Sequence, residues 1–127
     1  MSAFLFVCLG GALGSGARYL VSLWALRVLP PGFAWGTLMV NVLGSLALGF
    51  VVQYALDAET LAPSWRLFVT TGVLGGFTTY STFNQETIAL AQTGHFGLAA
   101  VNVVATLTAC LAAGFAGVAL GRLAAGG

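Results

Sequence analysis

Long apolar stretches with few charges in them are the feature that most limits how this chain can fold. Four such stretches, separated by short polar or proline-containing turns, lie at residues 3–26, 35–56, 65–92 and 96–120. An α-helix needs about 20 mostly apolar residues to cross a hydrocarbon core of about 30 Å. The pattern therefore predicts an all-α membrane protein with four transmembrane helices in a single domain.

The charge content supports lipid as the main surroundings of the folded chain. Only 6% of the 127 residues are charged and 59% are hydrophobic, whereas a soluble domain normally carries about 25% charged residues. The chain has no lysine, and a net charge of +1 gives no basic cluster for nucleic acid. No HExxH, Walker or CxxC motif is present, and Cys8 and Cys110 lie in apolar stretches as packing residues. We therefore expect neither an enzyme nor a nucleic-acid partner.

The distribution of arginine leaves the orientation of the chain open. With four crossings, Arg66 and Arg122 lie on one side of the membrane and Arg27 on the other. The positive-inside rule counts Lys and Arg near the ends of the spans, so a difference of one gives almost no bias. Either this small bias sets a single orientation, or the chain inserts both ways and two opposite copies pair about a two-fold axis in the membrane plane.

The third stretch is too polar for a helix that faces lipid. After Gly75 and Gly76 it carries a run of hydroxyl, amide and acid side chains that extends to Glu86. Paired glycines weaken a helix, and non-helical backbone in a bilayer is tolerated only where it is buried in protein or lines water. We predict a break near residues 75–79, at the glycine pair, that frees carbonyl oxygens for a small cation. The alternative is a glycine-rich packing helix whose hydroxyls bond to its own carbonyls.

Several side chains near the predicted break are suited to an anion. Tyr80 and Phe83 are three residues apart and share a helical face, and the edges of aromatic rings are positive. Asn41 in the second span offers an amide donor, and Arg18 in the first span adds a positive charge that would attract anions to a vestibule. The sequence therefore predicts an anion path close to a cation site.

Three motifs in this chain resemble the Fluc family of fluoride channels. In chain order they are Gly10-Gly11-Ala12-Leu13-Gly14-x-x-x-Arg18, Gly36-Thr37-Leu38-x-Val40-Asn41 and Gly72-x-x-Gly75-Gly76-x-Thr78-Thr79-Tyr80-Ser81-Thr82-Phe83. The resemblance covers nearly the whole chain and its four hydrophobic stretches. It implies an antiparallel dual-topology homodimer in the lipid bilayer, with two fluoride pores and a structural sodium ion at the dimer centre.

The same resemblance implies roles for individual residues. The backbone carbonyls of Gly75 and Thr78 would hold the sodium ion, and Arg18 would lie in the vestibule. The residues that would line the fluoride path are Asn41, Tyr80, Ser81, Thr82, Phe83, Glu86, Asn102, Thr106 and Thr108. Many relatives have phenylalanine where this chain has Tyr80. The function implied is a fluoride-selective channel that passively exports fluoride across a bacterial plasma membrane.

The main alternative is a small proton-coupled exporter, which is also built from four helices in opposed pairs. Such a carrier needs an acid within the membrane, and Glu86 is the only candidate. A structural or lytic pore without selectivity is a second alternative, but it would leave the polar third stretch unexplained. A channel passes current down its gradient, whereas a carrier saturates and couples to a proton gradient.

Overall fold

The fold is known from a computed structural model that describes residues 2–59 and 61–126. In chain order its helices are α1 (Ser2–Val28), α2 (Trp35–Ala58), α3 (Pro63–Leu67), a π-helical stretch (Phe68–Leu74), α4 (Gly75–Phe77), α5 (Tyr80–Gln92) and α6 (Phe96–Ala124). The described residues contain no β-strand, so the predicted all-α class is confirmed. Helices α1, α2 and α6 are long and apolar enough to cross a bilayer. The remaining predicted span, residues 65–92, is divided among shorter helices, none of which has that length by itself.

Short connections end the helices where the sequence stops supporting them. Pro30 and Pro31 follow α1, and prolines have no N–H with which to continue a helix. Gly94 lies between α5 and α6 with φ +83°, a left-handed conformation that glycine adopts at no steric cost. Connections this short place consecutive helices side by side in opposite directions.

Glycines bring α1 into backbone contact with the π-helical stretch. A Cβ atom on Gly10 would lie 2.5 Å from the carbonyl oxygen of Phe68 and 2.9 Å from the Cα of Gly72. A Cβ atom on Gly72 would in turn lie 3.0 Å from the Cα of Gly10. Small residues allow this approach in a membrane, where helices associate by close packing because lipid supplies no hydrophobic drive. The contact fixes the first half of the third stretch against α1.

A second set of glycines joins α2 to α6. A Cβ atom on Gly117 would overlap the carbonyl oxygen of Leu46, and one on Gly49 would lie 2.5 Å from the carbonyl oxygen of Gly114. The interior is correspondingly made of small residues, with Val40 the largest apolar side chain that is fully buried. Large apolar side chains such as Leu26, which is 81% exposed, cover the outside instead. This distribution fits a chain whose outer solvent is lipid.

Candidate functional site

The third stretch leaves helical geometry at two threonines. Thr78 has φ −87° and ψ 157°, and Thr79 has φ −153° and ψ 118°, so both are extended. Gly75 and Gly76 are still helical, so the interruption lies at the end of the predicted range of residues 75–79 and not at the glycine pair. A Cβ atom on Gly76 would lie 2.8 Å from the carbonyl oxygen of Gly11. The glycine at position 76 is thus required for close contact with α1, and the chain extends only after that contact ends.

Asn41 of α2 holds the extended backbone in place. Its Nδ2 donates to the carbonyl oxygen of Thr79 at 3.0 Å, and its Oδ1 accepts from the Thr79 N–H at 2.8 Å. The side-chain amide thereby pairs with both backbone groups of one residue, as a neighbouring strand would. The sequence predicted Asn41 as a donor for an anion. The structure adds that it satisfies backbone groups that the interruption removes from the helical ladder.

Thr79 also starts α5. Its Oγ1 accepts from the backbone N–H of Thr82 at 3.2 Å and donates to the Thr82 hydroxyl at 3.1 Å. A threonine that caps a helix in this way satisfies one of the unpaired N–H groups of the first turn. The hydroxyl of Ser81 is 3.4 Å from the same Oγ1. Ser81 and Thr82, which were predicted to line the fluoride path, therefore place their hydroxyls around Thr79, a residue that the sequence analysis had not assigned to the site.

The carbonyl oxygens of Gly75 and Thr78 are among those that lose their usual helical partners at the interruption. The N–H that would bond to Gly75, four residues on, belongs to Thr79 and is given to Asn41. The N–H that would bond to Thr78 belongs to Thr82 and is given to the Thr79 hydroxyl. Carbonyl oxygens are ligands suited to small monovalent cations. The two carbonyls that the resemblance assigned to sodium thus fit a cation site, because their helical donors are directed elsewhere.

An open groove of about 530 Å³ runs beside the extended residues. Five predicted site residues line it together, namely Asn41, Thr78, Tyr80, Phe83 and Thr106. The rings of Tyr80 and Phe83 have centroids 5.7 Å apart and an interplanar angle of 47°. Tyr80 is 77% exposed, so its ring stands in the groove and is not packed into the helix interface. The groove therefore combines polar groups at the interruption with aromatic edges.

Glu86 and Thr82 lie on a different side of α5. They line a second cavity of about 320 Å³ together with the loop that follows α1. A carboxylate oxygen of Glu86 accepts a hydrogen bond from the hydroxyl of Thr37 on α2. Thr82 and Glu86 are four residues apart and share this face. The predicted site residues of α5 that line these spaces are consequently divided between two faces of the helix, with Tyr80 and Phe83 at the groove and Thr82 and Glu86 at the cavity.

Sequence reasoning missed two polar residues of α2 that belong to these surfaces. Thr37 bonds to Glu86 in the cavity, and Ser45 lines the groove with Asn41. Residues 37, 41 and 45 recur every four positions in an otherwise apolar span. Residues four apart lie on one face of a helix, so this spacing was a signal in the sequence for a polar stripe facing α5.

Arg18, predicted for a vestibule, reaches the end of α4. Its Nε donates to the carbonyl oxygen of Gly76 at 3.0 Å, and the side chain is half-buried. A positive charge near the carboxyl end of a helix is favourable because the helix dipole is negative there. Arg18 therefore bonds to the end of α4, just before the interruption. Four of its five N–H donors are left for other partners.

The three residues predicted on α6 have different surroundings. Asn102 is 1% exposed and bonds to the hydroxyl of Thr87 on α5, so it does not line the groove. Thr106 lines the groove. Thr108 is exposed, and its hydroxyl donates to the carbonyl of Val104 in its own helix at 2.7 Å. Only Thr106 of this group thus shares a surface with Phe83.

The family of the chain follows from sequence comparison. Residues 5–118 match the family described as CrcB-like protein, Camphor Resistance (CrcB). The chain belongs to this family. A CrcB-like relative from Anaeromyxobacter dehalogenans, named fluoride-specific ion channel FluC, is 54% identical over 126 residues, which cover 99% of this chain and 100% of the relative.

Two further CrcB-like relatives carry the same name. The one from Agrobacterium fabrum is 47% identical over 116 residues, with 91% of this chain and 93% of the relative covered. The one from Clostridium perfringens is 41% identical over 103 residues, with 81% and 80% covered. The resemblance drawn from the three motifs is confirmed. CrcB-like relatives named as ion channels are transport proteins and not enzymes, and the chain is a multi-pass membrane protein.

Proposed function

We propose that this chain forms a fluoride-selective ion channel. The observation that carries the proposal is the groove at the interruption, where an amide, hydroxyls and two aromatic rings meet in a chain with an apolar exterior. Relatives that are up to 54% identical over their full length bear the name fluoride-specific ion channel. The name alone does not say which residues act, and the groove supplies the candidates.

Fluoride is small and strongly hydrated, so it leaves water only where other donors replace its shell. Asn41 gives one amide N–H to Thr79, and an amide has two N–H donors, so the second is free for an anion in the groove. The positive ring edges of Tyr80 and Phe83 offer further contacts that lipid cannot. Thr106 adds a hydroxyl from α6. A stepwise exchange of water for these groups is the mechanism we infer.

A second copy of the chain in the opposite orientation would cover the groove. Exposed backbone and amide groups within a bilayer cost several kcal/mol each unless protein or water satisfies them. The groove holds Asn41, Thr78 and Thr79 on an open surface of the single chain, which favours a protein partner there. The near-equal arginine content of the two sides supports insertion in both orientations. An antiparallel homodimer meets both conditions.

The carbonyls of Gly75 and Thr78, whose helical donors bond elsewhere, support a sodium ion at the dimer centre. Gly75 and Thr78 offer one oxygen each, so two copies related by a two-fold axis offer four. A bound cation would also offset the repulsion between carbonyl groups brought together at the ends of two α4 helices. We infer a structural role for the ion, because carbonyl oxygens supply a cage and no group for chemistry.

Passive flow is sufficient for export. At a membrane potential of about 100 mV, inside negative, one anionic charge gains about 2.3 kcal/mol on leaving the cell. Since about 1.4 kcal/mol corresponds to a tenfold ratio, this supports a gradient of about 50-fold. We propose that the channel lies in a bacterial plasma membrane and lowers cytoplasmic fluoride without a pump.

The proposal is tested by ion release from liposomes of phosphatidylethanolamine and phosphatidylglycerol that contain the purified protein. We expect rapid electrode-detected release of fluoride and no release of chloride when a potassium ionophore removes the opposing voltage. Equal release of both ions would indicate an unselective pore. Release that saturates and requires a pH gradient would indicate a proton-coupled exporter, and release of neither ion would overturn the channel.

The sodium proposal has a separate test. Protein prepared with sodium replaced by N-methylglucamine, a cation too large for a carbonyl cage, should lose dimer stability in detergent and conduct more slowly. Addition of sodium should restore both properties. A dimer of equal thermal stability and conduction in the two cations would remove the ion from the structure while leaving fluoride conduction in place.

A further inference from the structure

Asn102 is the most deeply buried polar side chain in the described residues, with 1% exposure. Its Nδ2 donates to the Thr87 hydroxyl at 2.9 Å, and that hydroxyl donates to the backbone carbonyl of Phe83 at 2.8 Å. On the other side, the hydroxyl of Thr106 faces its Oδ1 at 3.5 Å. A chain of hydrogen bonds therefore connects Phe83 on α5 with Thr106 on α6, and both of these residues line the groove.

The direction of each bond follows from the donors present. A hydroxyl has one proton, and the proton of Thr87 goes to the Phe83 carbonyl. The atom of Asn102 that meets Thr87 must then be a donor, which is the amide nitrogen. The amide oxygen consequently points toward Thr106. The hydroxyl proton of Thr106 is held only at 3.5 Å, a long bond that it can exchange for an anion in the groove.

We propose that Asn102 is a positioning residue that sets Phe83 and Thr106 for the passage of fluoride. This inference rests on the proposed channel function. Asn102 does not touch the ion, because it is buried behind the groove wall. It fixes the distance between α5 and α6 at the level of Phe83 through Thr87, and it directs the Thr106 hydroxyl from behind.

The weak packing of α5 explains why a hydrogen bond is needed there. None of the residues of α5 is buried, so packing alone gives this helix little to hold its position against α6. A single hydrogen bond between membrane helices contributes only a small energy. This energy is small compared with the energy that assembles the helices. It is enough to fix the position of a loosely packed helix where a fraction of an ångström matters.

Substitutions at Thr87 separate the hydrogen bond from the volume of the side chain. Thr87→Val removes the hydroxyl at nearly constant shape, and Thr87→Ser keeps the hydroxyl. In liposomes we expect fluoride release to fall about tenfold with Thr87→Val, the factor that 1.4 kcal/mol corresponds to, and to stay near the parent rate with Thr87→Ser. Asn102→Leu should fall at least as far as Thr87→Val, because it also removes the contact with Thr106. The double substitution should fall no further than Asn102→Leu alone, because both changes break one chain of bonds.

Selectivity distinguishes positioning from a loss of folded protein. A smaller folded fraction lowers the release of fluoride without changing its ratio to chloride release, whereas a displaced Phe83 lowers that ratio as well. We therefore expect a lower fluoride-to-chloride ratio for Thr87→Val and Asn102→Leu. Thr70→Val is the matched control, because the Thr70 hydroxyl also bonds to a carbonyl four residues back, at Arg66, and lies outside the groove.

Three results would overturn the inference. They are an unchanged rate and ratio in Thr87→Val, equal loss in Thr87→Ser and Thr87→Val, and single effects that multiply in the double substitution. If Asn102→Leu fails to fold, the pair of Thr87 variants still decides. A parent protein that releases no fluoride would refute the channel itself, whereas a conducting parent with equally conducting variants removes only the role of Asn102.

Discussion

The two halves of the interrupted third stretch are built in opposite ways. In the half before the interruption, residues 65–77, the glycines touch α1 through backbone, with Gly72 buried and Gly76 against the carbonyl of Gly11, while the ring of Phe6 packs on Trp65 and Phe68. The half after it, α5, has no buried residue and makes its contacts through side chains. Its Thr87 and Glu86 bond to Asn102 and Thr37 on neighbouring helices.

The first half therefore supports the site, whereas α5 carries side chains that act in it. Where glycines bring two backbones into contact, neither helix can shift by changing a side-chain rotamer. The first half is therefore a rigid support for the carbonyls at its end. Side-chain contact leaves α5 with rings and hydroxyls on two accessible faces, one toward the groove and one toward the cavity. We therefore expect changes in the first half to act on assembly, and changes in α5 to act on conduction.

The largest effect should come from Gly14→Ala, which would disrupt the contact between α1 and the first half of the third stretch. A Cβ atom at this position would overlap the carbonyl oxygen of Val73 and lie 2.9 Å from the Phe77 nitrogen. Because backbone cannot move aside as a side chain can, we expect a loss of at least about 1–3 kcal/mol, the usual cost of overpacking. The measurement is the yield and thermal stability of monodisperse protein in detergent.

Gly16→Ala is the matched control on the same helix. A Cβ atom there meets nothing within 4 Å, and alanine in a helix interior gains about 0.5–1 kcal/mol over glycine. We expect this variant to be at least as stable as the parent. Equal destabilisation by both substitutions would mean that the contact between α1 and the first half is not specific.

In α5 the largest effect should come from Phe83→Ile. The substitution keeps an apolar side chain but removes the ring edge that faces the groove with Tyr80. We expect fluoride release from liposomes to fall to the level of protein-free vesicles while the elution volume in size-exclusion chromatography stays that of the parent. Phe4→Ile, at a ring on α1 that is 64% exposed, should leave release unchanged. Normal release by Phe83→Ile would exclude an aromatic role.

The fold was predictable from sequence where one physical requirement dominates. Apolar length alone identifies α1, α2 and α6, because crossing a bilayer demands it. The position of the interruption was harder to predict, because a glycine can either weaken a helix or let two backbones approach closely. The pair Gly75 and Gly76 suggested a weakened helix, but Gly76 allows close approach to α1. Nothing local to the sequence reveals that α1 lies against that glycine.

The site was partly predictable for the same reason. Tyr80 and Phe83 are placed together by helical spacing, and the groove contains both. Asn102 was assigned to the fluoride path, but the structure buries it against Thr87 of α5. Its spacing from Thr106 shows that the two share a face of α6, but not how far each lies from the groove. The role of Thr37 needed the polar spacing along α2, which becomes meaningful only when Glu86 lies opposite.

Asn41→Asp tests the link between the two halves, and its effect should be somewhat smaller than that of Phe83→Ile. A carboxylate can still accept from the Thr79 N–H but cannot donate to the Thr79 carbonyl. A negative charge about 4 Å from the ion also costs about 4 kcal/mol at an effective dielectric constant of about 20. This energy corresponds to a factor of about a thousand, so we expect fluoride release to be about a thousandfold slower.

The same chemical change elsewhere provides the control for Asn41→Asp. Gln92→Glu places a new carboxylate at the exposed end of α5, away from the groove, and should conduct at the parent rate. Unaltered release by Asn41→Asp would take this amide out of the anion path and leave it with the structural role that its two bonds to Thr79 already define.

The smallest effect should come from Tyr80→Phe. The Tyr80 ring stands 77% exposed in the groove, and no hydrogen bond to its hydroxyl is found in the described residues. If the positive edge of the ring is what an anion meets, removal of the hydroxyl changes release by no more than about twofold, or about 0.4 kcal/mol. A much larger change, measured as release rate against fluoride concentration, would show that the hydroxyl itself contacts the ion. Side-chain function in α5 would then extend from ring edges to the phenolic hydroxyl of Tyr80.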